Sequence, residues 1–264
     1  MTPRGSRGKP YVGTSGWSYD HWRGPFYAPD VAKKDWFAFF AKTFSTVELN
    51  ATFYRLFPEK TFDSWAAKAP EDFIYAVKMW RMVTHRKRLV NVEQDVASFL
   101  VRARRLDEHL GPILIQLPPG VHRDDALLGD FLALIGETCR DIGAEGMRFT
   151  LEFRHATWFD DKVYSRLEEA GVALCLPDRE GLEVPRVETA DFIYVRFHGR
   201  PRVHSGCYTR QQLRPWATWI NGQLDNGRDV YVYFNNDLHA YAVKNAREIA
   251  ALLGLDDGLQ SVGA

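Results

Sequence analysis

Residues 189–199 read TADFIYVRFHG. Side chains alternate across an extended strand, so residues two apart share a face. Ile193, Val195 and Phe197 therefore fall on one face, and Tyr194, Arg196 and His198 on the other. The apolar face suits packing against helices. The opposite face carries an arginine and a histidine into whatever the strand encloses, and a fold that does this must have a polar interior at one end.

The same division recurs along the chain. Strands are predicted at Tyr11–Trp17, Thr46–Asn50, Ile74–Met79, Ile113–Pro118, Arg148–Arg154, Ala173–Asp178, Phe192–His198 and Asp229–Asn235. Helical patterns lie between most of them. In the clearest, Val92, Val96, Phe99, Leu100, Ala103, Leu106 and Leu110 repeat on one helical face, with Asn91 placed as its N-cap. Val243, Ala246, Ile249, Ala250 and Leu253 mark a last helix. The stretch from Arg179 to Asp191 is rich in charge and turn residues and reads as a loop. Eight strands alternating with helices over about 250 residues predict an α/β fold, a single TIM-type (β/α)8 barrel that is irregular after its sixth strand. An open doubly wound sheet is the competing architecture, but no GxGxxG follows the first strand. The barrel is expected over residues 11–254, after a flexible segment over 1–10 and before a tail over 255–264.

The 264 residues include 34 Lys and Arg against 34 Asp and Glu, so a global basic excess of the kind nucleic-acid binders carry is absent. Cys139, Cys175 and Cys207 are odd in number and widely spaced, which argues against a disulfide framework or a cysteine-based zinc site. The polar first ten residues lack a signal-peptide core. No apolar run reaches the roughly 20 residues that a membrane helix needs. A cytoplasmic protein with no membrane partner is expected.

The in-facing phase gathers a polar ring near the C-terminal strand ends: Glu48, Lys78, Gln116, Glu152 and Arg196. Asn50, Arg154, Asp178, His198 and Asn235 are expected near or above it. A structural salt-bridge plug would account for such a ring, since buried charges must be paired. Its concentration at one end favours chemistry, because that end is where this fold builds active sites. Two charge blocks support this. Between Phe73 and Val92 stand Lys78, Arg81, Arg86, Lys87 and Arg88 without an acid, and Arg196, Arg200, Arg202, Arg210 and Arg214 cluster around the seventh strand. With Trp17 and the neighbouring aromatic residues, the rim favours an anionic ligand.

Acid–base catalysis then assigns Glu48 or Glu152 as base and Lys78 or His198 as acid. Trp17, Asn50, Gln116, Arg154, Asp178, Arg196, Asn235, Asn236 and Asp237 are the expected substrate contacts. Asn235, Asn236 and Asp237 offer donors at the end of the eighth strand, where barrels often hold phosphate. Glu152, Asp178 and His198 end successive strands and have plausible ligand geometry for a divalent ion, but Lys78, Gln116 and Arg196 oppose a cation. No metal and no cofactor is expected. His85, His155, His204 and His239 fall in or near loops and read as surface residues.

Several stretches also carry a family likeness: GTSGWSY at 13–19, TVELNATFY at 46–54, YAVK at 75–78, VTH at 83–85, GPILIQLPP at 111–119, EFRHATW at 152–158, TADFIYVRFHG at 189–199 and DVYVYFNND at 229–237. Together they resemble the YecE-like family, a domain of unknown function (number seventy-two), over nearly the whole chain. The resemblance implies a TIM-type barrel and no particular reaction. The implied fold is similar to the metal-dependent barrels of the endonuclease IV and xylose-isomerase group, several of whose ligand positions are missing here. The leading reading is an enzyme, a hydrolase, lyase or isomerase, acting on a small polar anionic substrate. A nucleic-acid-binding or metal-dependent phosphodiesterase is the less favoured alternative. A non-catalytic ligand-binding barrel is the third. The sequence sets no oligomeric state.

Overall fold

In the computed structural model, which describes residues 6–255, eight strands follow one another in sequence order round a closed parallel barrel. They are β1 (Pro10–Ser15), β2 (Thr46–Leu49), β3 (Ile74–Lys78), β4 (Leu110–Gln116), β5 (Phe149–Glu152), β6 (Ala173–Asp178), β7 (Phe192–Phe197) and β8 (Asp229–Phe234). Eight α-helices are described, α1 (Trp36–Ala41), α2 (Ala51–Tyr54), α3 (Glu59–Ala66), α4 (Glu93–Ala103), α5 (Asp125–Asp141), α6 (Asp161–Glu169), α7 (Arg210–Asp225) and α8 (Tyr241–Leu252). No helix is described between β6 and β7, where the charged stretch reads as a loop. Residues 1–5 and 256–264, on which most of the expected terminal segments fall, lie outside the described residues. Gly8 donates its amide to the Leu224 carbonyl at 2.9 Å and Lys9 donates to Asp229 at 2.9 Å, leading directly into β1. No described helix is long and apolar enough to cross a membrane.

The chain divides into two compact units. The first takes the residues up to Val47, Pro177–Gly181 and everything from Asp191 onward; the second takes Glu48–Leu176 and Leu182–Ala190. In the first unit β1 pairs with β8 and β8 with β7, all parallel. The inner face of these strands is tyrosine-rich. Tyr11 stacks on Tyr231 at 4.6 Å, Tyr194 lies 5.3 Å from Tyr233, and the Tyr233 hydroxyl meets Thr46 Oγ1 at 2.6 Å. Large rings thus fill the interior layers below the strand ends, as this fold requires. The outer face is apolar: Phe197 stacks on Phe234 at 4.6 Å and meets Trp216 of α7 edge-on at 5.2 Å.

In the second unit β3, β4, β5 and β6 pair in turn. Phe149, on the outer face of β5, lines a cavity with Leu132, Ile135 and Cys139 of α5. Tyr75 of β3 reaches outward, its hydroxyl donating to the Trp65 carbonyl of α3 at 3.1 Å. Both contacts leave Thr150 and Glu152, and Ala76 and Lys78, on the inner face.

The helix predicted from Val92 to Leu110 is shorter. Its α-helical part ends at Ala103, a tighter 3₁₀ stretch follows from Arg104 to His109, and Leu110 already belongs to β4. Asp107 adopts a positive φ of 50° inside that stretch, which no continuous α-helix tolerates. Asn91 is not the N-cap; it too has a positive φ, 52°, and Val92 occupies the cap without a side-chain bond. The apolar stripe itself is buried as expected, from Val92 through Leu106.

Candidate functional site

Three successive strands of the second unit end in polar residues on the inner face: Lys78 on β3, Gln116 on β4 and Glu152 on β5. Lys78 Nζ donates to Gln116 Oε1 at 2.8 Å and lies 4.3 Å over the ring of Phe53. Register places Gln116 beside Glu152. Glu152 is fully buried, pairs with the guanidinium of Arg154 two residues on, and accepts from the Cys175 thiol at 3.6 Å. Glu48, at the end of β2, is fully buried as well. Asn50 follows it, and its buried Oδ1 has no hydrogen-bond partner among the described residues. Thr52 of α2 shares its hydroxyl proton between the carbonyls of Leu49 at 2.8 Å and Lys78 at 2.7 Å. That bond ties the backbone after β2 to the end of β3.

His85, read from sequence as a surface residue, belongs to this cluster. It lies in a single π-helical turn, Met82–Arg86, a form that often marks functional sites. Its ring meets Phe53 edge-on at 4.8 Å, and its Nδ1 lies 2.9 Å from the Thr84 hydroxyl. Phe53 is thus flanked by Lys78 and His85. Desolvation pushes the His85 imidazole down to about 4, and the charges of Lys78, Arg154 and Arg81 add to this, with Glu152 opposing. His85 is therefore neutral at physiological pH. His155 stacks on His122 at 3.9 Å and accepts from the Thr157 amide at 3.3 Å, which makes it a cap for the turn Ala156–Trp158.

The first unit holds a second cluster. Arg196 and His198 are both about 1% exposed and share the inner phase with Tyr194. Asn235, just past β8, is in phase with Tyr231 and Tyr233, and its side-chain amide contacts His198 Nδ1 at 3.3 Å. His204, on the loop after β7, places its own Nδ1 at 3.0 Å from the Asn235 carbonyl. His204 was also missed in the sequence, where an irregular loop carries no periodic signal.

Two expected contacts sit differently. Asp178 does not face inward. Cys175 shares the inner face with Glu152, so Asp178, an odd number of residues away, points with Leu174 and Leu176 to the outside. There its carboxylate accepts from Arg200 Nε at 2.7 Å, the Tyr208 hydroxyl at 2.8 Å and Trp216 Nε1 at 3.0 Å. Asn236 is likewise turned away from the inner face. Its Nδ2 donates to the Gly206 carbonyl at 2.8 Å and to Asn245 Oδ1 of α8 at 2.9 Å. Asn245 in turn exchanges two bonds with the backbone of Tyr208, at 3.0 and 2.8 Å. These residues clasp the loop that follows β7.

Trp17 packs edge-on against Phe37 at 5.2 Å, and its carbonyl accepts from the Tyr27 hydroxyl at 2.5 Å. Asp237 meets His21 Nε2 at 3.3 Å through its carboxylate, and its carbonyl accepts from Trp22 Nε1 at 2.8 Å. Both residues thus anchor the segment after β1. The set Glu152, Asp178 and His198 loses its middle member, because the Asp178 carboxylate already takes three donors. Among the described residues no group of three or more His, Cys, Asp or Glu is placed to hold a metal ion.

The model of a protein family described as of unknown function, DUF72, matches residues 11–262. The chain belongs to the DUF72 family. It is 25% identical to the UPF0759 protein YunF of Bacillus subtilis over 277 residues, covering 93% of this chain and 95% of that one. A DUF72 structure from Thermotoga maritima superposes with a TM-score of 0.82 at 25% identity, over 93% of this chain and 99% of that one. A DUF72 structure from Enterococcus faecalis superposes with a TM-score of 0.79 at 18% identity, over 93% and 96%. The family resemblance read from the motifs is thereby shown, and the barrel with it. None of these three descriptions assigns a reaction.

Proposed function

We propose that this DUF72 protein is an enzyme acting on a small, polar, anionic substrate by acid–base chemistry at the C-terminal ends of its strands. The observation that carries the reading is the field at the ends of β3 and β5. Beside burial, the charges of Lys78, Arg154 and Arg81 disfavour the charged form of His85, and that of Glu152 favours it. Such a field attracts a phosphate, sulfate or carboxylate group. A guanidinium offers a planar fork matched to these oxygens, and an ammonium adds a point charge. Active sites of this fold form at the same strand ends.

In this reading Lys78, fixed by Gln116 and by the Phe53 ring, supplies charge to the substrate anion. Glu152, oriented by Arg154 and Cys175, is the candidate base, and Glu48 is the second buried carboxylate of the same unit. In the other unit Arg196, His198 and Asn235 provide a separate set of donors. His85 takes part as a neutral imidazole.

The test is thermal stability against added inorganic phosphate or sulfate. A ligand that binds only the folded state stabilises it by about 2.7 kcal/mol at a hundred times its Kd. Millimolar anion should raise the melting temperature of the native protein, and Lys78→Met should remove most of that gain. An unchanged melting temperature in the native protein over the same range would sink the proposal.

A further inference from the structure

We propose that Asn235 holds His198 and His204 in opposite tautomers, making them the hydrogen-bond donor and the proton acceptor of one catalytic pair. The inference deepens the acid–base reading above and rests on it.

The argument begins with what each partner atom can do. A backbone carbonyl only accepts. His204 Nδ1, at 3.0 Å from the Asn235 carbonyl, must therefore carry the ring proton, which leaves the lone pair on Nε2. A side-chain amide nitrogen only donates. With Asn235 Nδ2 at 3.3 Å, His198 Nδ1 is assigned the lone pair and Nε2 the proton. One residue thus orients two imidazoles, by its backbone and by its side chain, and gives them complementary roles. The rings stand 5.8 Å apart and nearly perpendicular, at 82°.

The loop is built to hold this arrangement. His204 adopts a positive φ of 65°, a conformation uncommon outside glycine. Its amide donates to the His198 carbonyl at 2.5 Å, so backbone and side chain both tie it to the ends of β7 and β8. The amides of Ser205 and Gly206 both return to the Arg202 carbonyl, at 3.2 and 2.8 Å. Asn236 grips the Gly206 carbonyl from the other side. An added Cβ on Gly206 would lie 2.1 Å from the Arg200 carbonyl oxygen, so the chain passes itself too closely there for any side chain.

The chemistry follows from the tautomers. A substrate proton leaves for Nε2 of His204, which becomes an imidazolium. The electron pair stays on the substrate, and the oxygen that takes up its charge accepts a hydrogen bond from Nε2–H of His198. His198 stays neutral as an electrophile, and no oxidant or co-reactant is needed. The matching substrate class is a hydroxyl or carbonyl compound with an ionisable proton beside that oxygen. Asn235 is a positioning residue.

Nitrogen-15 NMR of the full-length protein, labelled at its imidazoles and held near neutral pH, reads the tautomers directly. His204 should show a protonated Nδ1 and His198 a protonated Nε2. In Asn235→Asp the carboxylate accepts where the amide donated, so Nδ1 of His198 should gain a proton while His204 is unchanged. Asn235→Ala, which keeps the carbonyl and discards the amide, should leave His204 fixed and let His198 sample both tautomers. If His198 carries its proton on Nδ1 in the native protein, or His204 on Nε2, the proposal falls whatever anions do. Titration with inorganic phosphate supplies the second readout, and movement of both Nε2 resonances supports the pair. A phosphate-induced rise in melting temperature with both resonances still would overturn the pair and leave the anion reading intact. No rise at all would be the failure of that reading instead.

Discussion

Replacing Asp178 by alanine should cost the protein stability rather than ligand affinity. The carboxylate is 9% exposed and accepts from Tyr208 at 2.8 Å, Trp216 at 3.0 Å and Arg200 at 2.7 Å. Hydrogen bonds to a charged group contribute about 1.5–3 kcal/mol each when buried. Two of the three donors, the Tyr208 hydroxyl and the Trp216 indole, are neutral groups. The Arg200 side chain is 45% exposed, so solvent screens that pair and it adds at most about 1 kcal/mol. Part of the loss is recovered, because the Tyr208 hydroxyl also faces the Asp178 carbonyl at 3.2 Å. The balance is about 3–5 kcal/mol for Asp178→Ala. Asp178→Asn keeps the shape but turns a donor toward the indole or the guanidinium, and should cost about 2 kcal/mol. Urea unfolding measures both, as a lower midpoint at unchanged slope. If Asp178→Ala unfolds within about 1 kcal/mol of the native protein, the structural role assigned here is wrong. Lost phosphate binding at unchanged stability would return Asp178 to the ligand set.

His85 supplies a pH-dependent prediction. Its folded value near 4 lies below the ordinary 6.5, so as pH falls through 6.5 the unfolded chain takes up a proton that the folded one refuses. This contribution to stability is complete above 6.5 and is lost progressively toward 4; His85→Gln should flatten that part of the stability profile. In a proton NMR titration the His85 ring should hold its neutral shift well below 6.5, and a midpoint at 6.5 would contradict the burial and charge argument. Gly206→Ala should displace the loop after β7, because the added carbon meets Arg200 backbone atoms at 2.1 to 2.5 Å. Faster amide exchange at His204 and Ser205 would register it, and native-like protection there would show that the backbone yields without cost.

The barrel was legible because alternation along a strand is geometry. It sorted β2, β3, β4, β5, β7 and β8 into inner and outer faces from a few residues each. It failed at β6 for a traceable reason. The in-facing phase expected for Asp178 is one residue out of step, since alternation from Cys175 groups Asp178 with Leu174 and Leu176. Several predicted strands run past the observed ends, since Arg154, His198 and Asn235 lie after β5, β7 and β8 have ended. The helix predicted after the third strand runs past Ala103 because its apolar spacing continues through Leu106, whereas the backbone turns at Asp107. His85 and His204 had no periodic signature to betray them. One sits in a π turn and the other in a loop, where position depends on hydrogen bonds that sequence spacing does not encode.

Adjacent residues of one motif have opposite duties for the same geometric reason. In the run Asn235–Asn236, the first side chain turns to His198 and the second to Asn245 of α8. Asn236 and Asp178, both outward, bind the loop after β7 to its helices through Tyr208, Asn245 and Trp216. Asn235, Arg196 and His198, all inward, face the interior above the tyrosine layer. The outer set therefore fixes where His204 stands, and the inner set fixes what it can meet. Loss of an outer residue should loosen the loop and lower stability together, whereas loss of an inner one should change proton placement with the fold intact. A polar motif at a strand end is thus two devices interleaved, and only the face of each residue tells them apart.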